Sequence, residues 1–405
     1  MRIFRFLIVV TACFATLAFA GDGPNHYEEP GLQPGREYIN QHFAEHIDPL
    51  SGNLSLQYVD VFIPGNGGFD LKVVRSYNQR KINEYYSPFG RGWDIHFGRI
   101  RNITLQTDCN TANPQSMLLE LPDGSLQTLY KSNATPTRIP NTLSTDFITT
   151  QLWKAKCDPA SGGVIVYSPD GSQYDMTIRT ERSNPASGYW LVSKITDRNG
   201  NTATFIYEDQ PNSGRKEVKS VTVTTDAESQ RLITLIYSLG RLTSITSGGR
   251  TWTYLVSSNS GSYNTLTSMT PPVGSAWQYT YYGDRGSTVA GSYSLRQLTY
   301  PQSGTITYDY GFEFFLQGVL GSPQSTVVKS KVTADGNWGF AYTPSPASST
   351  TDDITIVTLP WSLGSETITY KHFGYNTVNT NLFCNCIGGE LVVACNHYNI
   401  QTKLT

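Results

Sequence analysis

The sequence predicts an all-β protein made of stacked antiparallel β-hairpins. Of 405 residues, 25 are Tyr and 36 are Gly, and only 15% are charged. Tyr and Thr with frequent Gly favour strands and turns over helices. The stretch from Leu242 to Tyr254, LTSITSGGRTWTY, reads as one hairpin. Leu242 and Ile245 lead in, Gly248 and Gly249 supply a turn at positive φ, and Trp252 and Tyr254 alternate with Thr251 and Thr253 at the strand period. Units of this kind recur down the chain, so the expected architecture is a long coiling sheet.

Taken in order, residues 1–20 have the parts of a secretory signal: Arg2 and Arg5, an apolar run, and a cleavage site at Ala18-Phe19-Ala20, with Gly21 as the new N-terminus. Export to the periplasm, the cell surface or the medium is expected. A lipobox-like string ending at Cys13 is the minor alternative. The apolar run is too short to span a bilayer, and no transmembrane segment is expected in the mature chain. Residues 21–40, rich in Gly, Pro and acids, read as a flexible arm. The net charge of −2 offers no basic face for nucleic acid.

Residues 41–120 read as a β lead-in. His42, Glu45 and His46 spell the string of a zinc protease, but Asp48-Pro49-Leu50-Ser51-Gly52 follows at once and ends any helix, so the match is read as chance. From Asn53 to Ile63 the chain alternates, with Leu54, Leu56, Tyr58, Val61 and Ile63 inward after a shift near Asp60. A Gly-rich turn leads to a return strand, Phe69 to Tyr77. Gly90-Arg91-Gly92-Trp93 then turns into one strand from Asp94 to Ile103, with Ile95 and Phe97 on one face. Arg75 and Trp93 are expected to be packed.

Four pieces of this stretch stand in a telling order: IDPLSGN at 47–53, IPGNGGF at 63–69, RSYN at 75–78, and SPFGRGW at 87–93. Together they resemble the N-terminal lead-in of RHS/YD-repeat proteins, with Arg75, Tyr77, Gly92 and Trp93 among the signature residues. The resemblance implies a sheet that spirals into a shell, here a partial one. Its implied partners are the remainder of such a shell or a separate effector.

Residues 121–190 read as an irregular β region with two P-D-G-S turns, and the segment from Cys109 to Asn141 reads otherwise as polar and loop-like. Residues 191–375 carry the degenerate repeats. Ile195 leads to Phe205 and Tyr207, Ile245 to Trp252 and Tyr254, and Met269 to Trp277 and Tyr279. Leu298 leads to Ile306 and Tyr308, Val332 to Trp338 and Tyr342, and Val357 to Ile368 and Tyr370. Tyr237-Ser238-Leu239-Gly240-Arg241-Leu242 resembles the core of a YD repeat, with Ser238 where that family has Asp. One hairpin cannot bury its aromatic face alone, so stability is collective. Residues 376–405 form an atypical tail. The chain lacks the C-terminal core motif and toxin region of the long family members, which makes it read as the front part of such a protein.

With Cys13 removed, five of the six cysteines remain. Cys109 and Cys157 could pair or stay as two free thiols. In the tail, Cys384, Cys386, Cys395 and His397 fit zinc poorly, because the C-x-C spacing is too short. No catalytic constellation, cofactor or metal is expected. The leading expectation is an exported, non-enzymatic β-scaffold. The alternative is a carbohydrate-binding or adhesive module that meets surface glycans through exposed Tyr and Trp. Recurrence of Trp252, Trp277 and Trp338 at one place per unit instead points to packing.

Overall fold

The computed structural model describes residues 32, 38–39, 44–83, 87–103, 109, 116–131, 147–181, 188–210, 215–225, 230–259, 263–315, 324–345, 351–360 and 366–372. Cys13, Ala20, Gly21, His42 and the tail cysteines with His397 lie outside the described residues. The described residues are nearly all β, and no helix among them is long and apolar enough to cross a membrane.

The lead-in forms a four-stranded antiparallel sheet: β1 (Glu45–Ile47), β2 (Leu54–Ile63), β3 (Leu71–Asn78) and β4 (Trp93–Ile95), in that order. Glu45 and His46 therefore sit on a strand, paired with Leu56 and Ser55, and not on a helix. The shift near Asp60 is a β-bulge. Val59 pairs with Val74 and Val61 with Val73, so Asp60 has no residue opposite it. The extra residue lets Asp60 face inward while Leu54, Leu56, Val61 and Ile63 are also buried. The expected strand from Asp94 to Ile103 is broken. Gly98 takes φ +115, a conformation open to glycine, and the chain there leaves the lead-in sheet. The arm expected to be free over 21–40 is docked at both places where it is described. Leu32 bridges to Ser125, and Ile39 to Ile47.

Beyond Gly98 the chain builds β5 (Arg99–Ile103), β6 (Ser116–Glu120), β7 (Leu126–Lys131), β8 (Phe147–Ile148), β9 (Lys154–Cys157), β10 (Val164–Tyr167), β11 (Gln173–Glu181) and β12 (Gly188–Thr196). Each pairs antiparallel with the next, and β12 returns to β5 through Trp190 opposite Ile100 and Leu191 opposite Arg99. Eight strands thus close a barrel. Ile100, Met117, Leu119, Leu129, Phe147, Ala155, Val164 and Met176 are fully buried, as expected where side chains fill a barrel of this size. This corrects two expectations. The loop-like stretch after Cys109 contains β6 and β7, and the region 121–190 supplies most of a closed barrel, with register shifts in its β11–β12 and β12–β5 pairings. Its strands are only two to nine residues long, too short to announce a period. A disulfide joins Cys109 to Cys157.

The same sheet then runs on as an open wall. Its strands are β13 (Thr202–Asp209), β14 (Lys216–Thr224), β15 (Gln230–Ser238), β16 (Arg241–Ser247), β17 (Arg250–Asn259), β18 (Tyr263–Thr270), β19 (Trp277–Tyr281) and β20 (Leu295–Thr299). They continue as β21 (Thr305–Glu313), β22 (Ser325–Thr333), β23 (Gly336–Thr343), β24 (Asp353–Thr358) and β25 (Thr367–His372). The branch point is β12. Its first half pairs with β5 and its last three residues pair with β13.

The wall repeats as the sequence predicts. Gly248 and Gly249 take φ +56 and +73 in the two-residue turn closed by Ser247 and Arg250. Ile245, Met269, Leu298 and Val357 are buried, opposite Trp252, Trp277, Ile306 and Ile368. One unit departs. Lys331, not Val332, faces Trp338. Lys331 is fully buried and Val332 is 43% exposed, because the short turn closed by Thr333 and Gly336 sets the register one residue earlier.

A bulge also recurs. One residue has no partner opposite it at Ser193, Lys219, Thr243, Thr267, Arg296 and Lys329. Bulges bend a strand and add twist, so one per hairpin makes the sheet coil. The carbonyls at these bulges are claimed by the next unit. Tyr207 donates to Val192 O, Tyr237 to Val218 O, Tyr281 to Leu266 O and Tyr310 to Leu295 O, at 2.6–2.9 Å. These four tyrosines staple their hairpins to the ones before them.

Candidate functional site

The most heavily built region is the face between the lead-in sheet and the wall. The lead-in contacts the backbone of three wall bulges. The Leu242 N–H donates to Pro88 O at 3.1 Å and the Val328 N–H to Gly52 O at 2.9 Å. The Leu295 N–H donates to the Tyr77 hydroxyl at 2.9 Å. A bulge frees main-chain groups from the ladder, and a buried free group must find a partner. The lead-in supplies those partners. At Leu242 no tyrosine staple forms, since Val256 stands where the next unit would carry one.

Arg75 lies at the centre of this face and is fully buried. Its Nε and Nη2 donate to the two oxygens of Asp60 at 2.9 and 3.1 Å, and its Nη1 donates to Tyr279 Oη at 2.6 Å. Tyr254 donates to Asp60 from the wall at 2.8 Å. The guanidinium packs within 5.5 Å of the Tyr58, Trp93 and Tyr279 rings, and Trp93 Nε1 donates to Tyr281 Oη at 2.8 Å. Burial works against the Arg75 charge, but the Asp60 carboxylate more than reverses this and holds the guanidinium above its ordinary range. Burial pushes Tyr279 up to about 12, so its hydroxyl stays protonated. Gly92 sits at φ +74, and a Cβ there would come 2.5 Å from the Tyr77 ring. It must be glycine for β4 to enter this packing.

A second ion pair lies further along. Glu45 accepts from Lys331 Nζ at 2.8 Å and from Tyr308 Oη at 3.1 Å, with both charged side chains buried. The carboxylate of the protease-like string is thus consumed in docking β1 onto β22. The sequence held one signal of this. Lys331 stands in an alternating strand where an apolar residue belongs, and a buried lysine demands an anion.

Where the lead-in passes into the barrel, a cavity of about 50 Å³ opens between β4 and β5 on one side and β11 to β14 on the other. Glu120, fully buried, binds Lys81, Arg99 Nε at 2.7 Å and Arg101 Nη1 at 3.4 Å. Arg99 Nη2 also reaches Asp94 at 2.6 Å. Burial alone would raise Asp94 and Glu120, yet Arg99 beside them holds both below the usual carboxylate range. Across the cavity Glu217 meets Arg215 Nε at 2.5 Å. Burial dominates there and pushes Glu217 up to about 7 against the pull of Arg215. Burial, with Arg99 adding to it, lowers His96.

Of the residues singled out in the sequence, the structure brings Arg75, Tyr77, Gly92, Trp93 and Tyr254 together on the docking face. Trp252 packs against the core from the adjacent position. Gly240 and Arg241 lie apart from it, in the β15–β16 turn. The sequence did not point to Asp60, Glu45 with Lys331, or the cluster around Glu120.

Residues 44–113, the lead-in, match a family described as a domain of unknown function, DUF6531. No curated protein matches the chain. Among solved structures the chain is similar to a TcdB2–TccC3 complex, at 13% identity and TM-score 0.34, over 80% of this chain and 19% of that one. It is also similar to the N-terminal domain of the effector protein SpvB from Salmonella typhimurium, at 12% identity and TM-score 0.24, over 71% of this chain and 95% of that one. A third is the Tc holotoxin pore of Photorhabdus luminescens, at 12% identity and TM-score 0.28, over 79% and 18%. The chain spans less than a fifth of the length of the toxin chains.

Proposed function

We propose that this chain is an exported, non-enzymatic β-scaffold of the RHS/YD-repeat kind. It forms the front part of a shell or cell-surface protein that encloses or delivers a partner or effector. One observation carries this reading. The ionisable and aromatic groups of the lead-in, Glu45, Asp60, Arg75 and Trp93, are spent on the wall itself, where they bond Lys331, Tyr254, Tyr279 and Tyr281. Groups committed to internal partners fix shape rather than perform chemistry. The family match on residues 44–113 falls on the stretch that carries the resemblance. The repeat tryptophans favour packing over sugar contact. Trp338 is buried, and Trp252 and Trp277 are half-buried against the core.

The test is protease protection. The mature chain is co-expressed with the protein encoded next to its gene, and the purified assembly is digested. A neighbour that survives only in the presence of the scaffold supports enclosure. A neighbour digested equally with and without it refutes enclosure. A glycan array on the same preparation tests the adhesive alternative.

A further inference from the structure

We propose that the outer face of the wall, from β13 to β21, is an interface on which a second copy of this chain packs, sheet against sheet. This is independent of the scaffold reading and uses none of the residues that dock the lead-in. The first support is exposed apolar area gathered in one place. Ile206 on β13, Leu232 and Ile236 on β15, and Leu255 on β17 are 48–58% exposed. Their sequence neighbours Phe205, Ile233, Leu235 and Tyr254 are buried on the inner face. Successive side chains of a strand point to opposite faces, so the four share the outer face of adjoining hairpins. A group of exposed apolar side chains set among polar ones marks a contact surface.

The second support is the absence of charge between these four. Ser220, Thr234, Thr246 and Thr251 stand opposite one another across β14 to β17. Ser244, Thr253 and Thr270 form the next row, across β16 to β18. Charge begins on the barrel side, with Lys194 opposite Thr204 and Lys219 beside Glu208. A centre depleted of charge inside a polar rim is the composition of a protein interface.

The same chemistry selects a second copy as the occupant. A hydroxyl both donates and accepts, and aliphatic side chains pack against their own kind. A face made of these two groups is complementary to itself under a two-fold rotation, as an isologous interface requires. A charged partner would bury its charge here with nothing to answer it. The area also suffices. Ser268, Gln278, Thr299 and Thr305 carry the uncharged surface on across β18 to β21. Strands about 4.8 Å apart from β13 to β21, each offering about 20 Å of length, present up to ~800 Å². A standard interface takes about that much from each partner. Two such sheets pack about 10 Å apart with their strands nearly aligned.

The experiment is sedimentation velocity of the mature chain over a concentration series. A rise with concentration from the mass of one chain to that of two is expected. Leu232→Lys and Leu255→Asp each place a charge in the uncharged contact and should weaken self-association by more than about tenfold. Phe62→Asp, at an exposed lead-in position outside the face, should leave it unchanged. Should the two face variants fail to fold, hydrogen exchange of the wild type at low and high concentration decides. Slowing confined to β13–β21 at high concentration supports the proposal, and slowing elsewhere or none refutes it. A single-chain mass at every concentration would overturn the proposal and leave the face to another occupant, as would a dimer that folded Leu232→Lys and Leu255→Asp leave intact.

Discussion

Asp60 Oδ2 lies 2.9 Å from Arg75 Nε, and Asp60 is the unopposed residue of a bulge whose strand pairs with that of Arg75. The bulge turns an acid inward without turning Val61 and Ile63 outward. Removing one partner leaves a buried charge alone. Arg75→Met or Asp60→Asn should each cost about 3–5 kcal/mol. The double variant should cost clearly less than the sum, and a urea-unfolding double-mutant cycle measures the difference.

Glu45 and Lys331 make the same argument across a longer sequence distance. Lys331→Leu alone strands Glu45 and should destabilise by about 3 kcal/mol or more. Lys331→Leu with Glu45→Gln restores the apolar lead residue that other units carry and should recover most of the loss. Thermal melts of the two variants against wild type check this. Equal stability of the single and double variants would refute it.

The tyrosine staples can be cut one at a time. Tyr281→Phe and Tyr310→Phe each leave a bulge carbonyl without its donor, at Leu266 and Leu295. Each should cost about 1–3 kcal/mol. Chemical denaturation of the two variants against wild type checks this.

Leu239 holds φ +51 and is 89% exposed. A branched apolar side chain gains nothing there and bears the strain of a left-handed conformation. Leu239→Asn should raise stability by about 1 kcal/mol, read as a higher Tm. A fall would show that Leu239 makes a contact in solution.

Glu217 makes stability depend on pH. Its folded value is raised to about 7, so the folded state binds more protons than the unfolded chain between the ordinary carboxyl range and neutrality. Its contribution is greatest below that range and is lost as pH rises through about 7. His96, whose value is lowered, acts in the opposite sense below its ordinary range, so the variant difference is the proper readout. Glu217→Gln should gain Tm over wild type as pH rises from about 5 to about 8. A gap constant with pH would refute the assignment.

The wall was legible in the sequence because each strand has one buried face. Period two survives in Trp252 and Tyr254, and the glycine pair marks the turn. The barrel was not legible, because β8 and β9 are short and closure depends on Trp190 meeting Ile100, a pairing that no local pattern announces. Half of the docking face was legible. Arg75 and Trp93 stood out as large residues among Gly-rich turns. Their partners Tyr254 and Tyr279 lie about two hundred residues away and looked like ordinary core positions. Asp60 was marked only as a shift in alternation. Lys331 was hidden by a register one residue different from that of its sibling units.

The divided strand β12 gives the molecule a mechanical direction. Among the described residues β25 has a single neighbour, so a pull on that end strips hairpins one by one, each giving way like a zip. The stripping stops at β12, whose first half is locked into a ring of eight strands with no free end to peel. A steady load from the C-terminal side would therefore meet a series of yields, larger where Lys331, Tyr279 and Tyr254 are tied to the lead-in, and then a single stiff anchor.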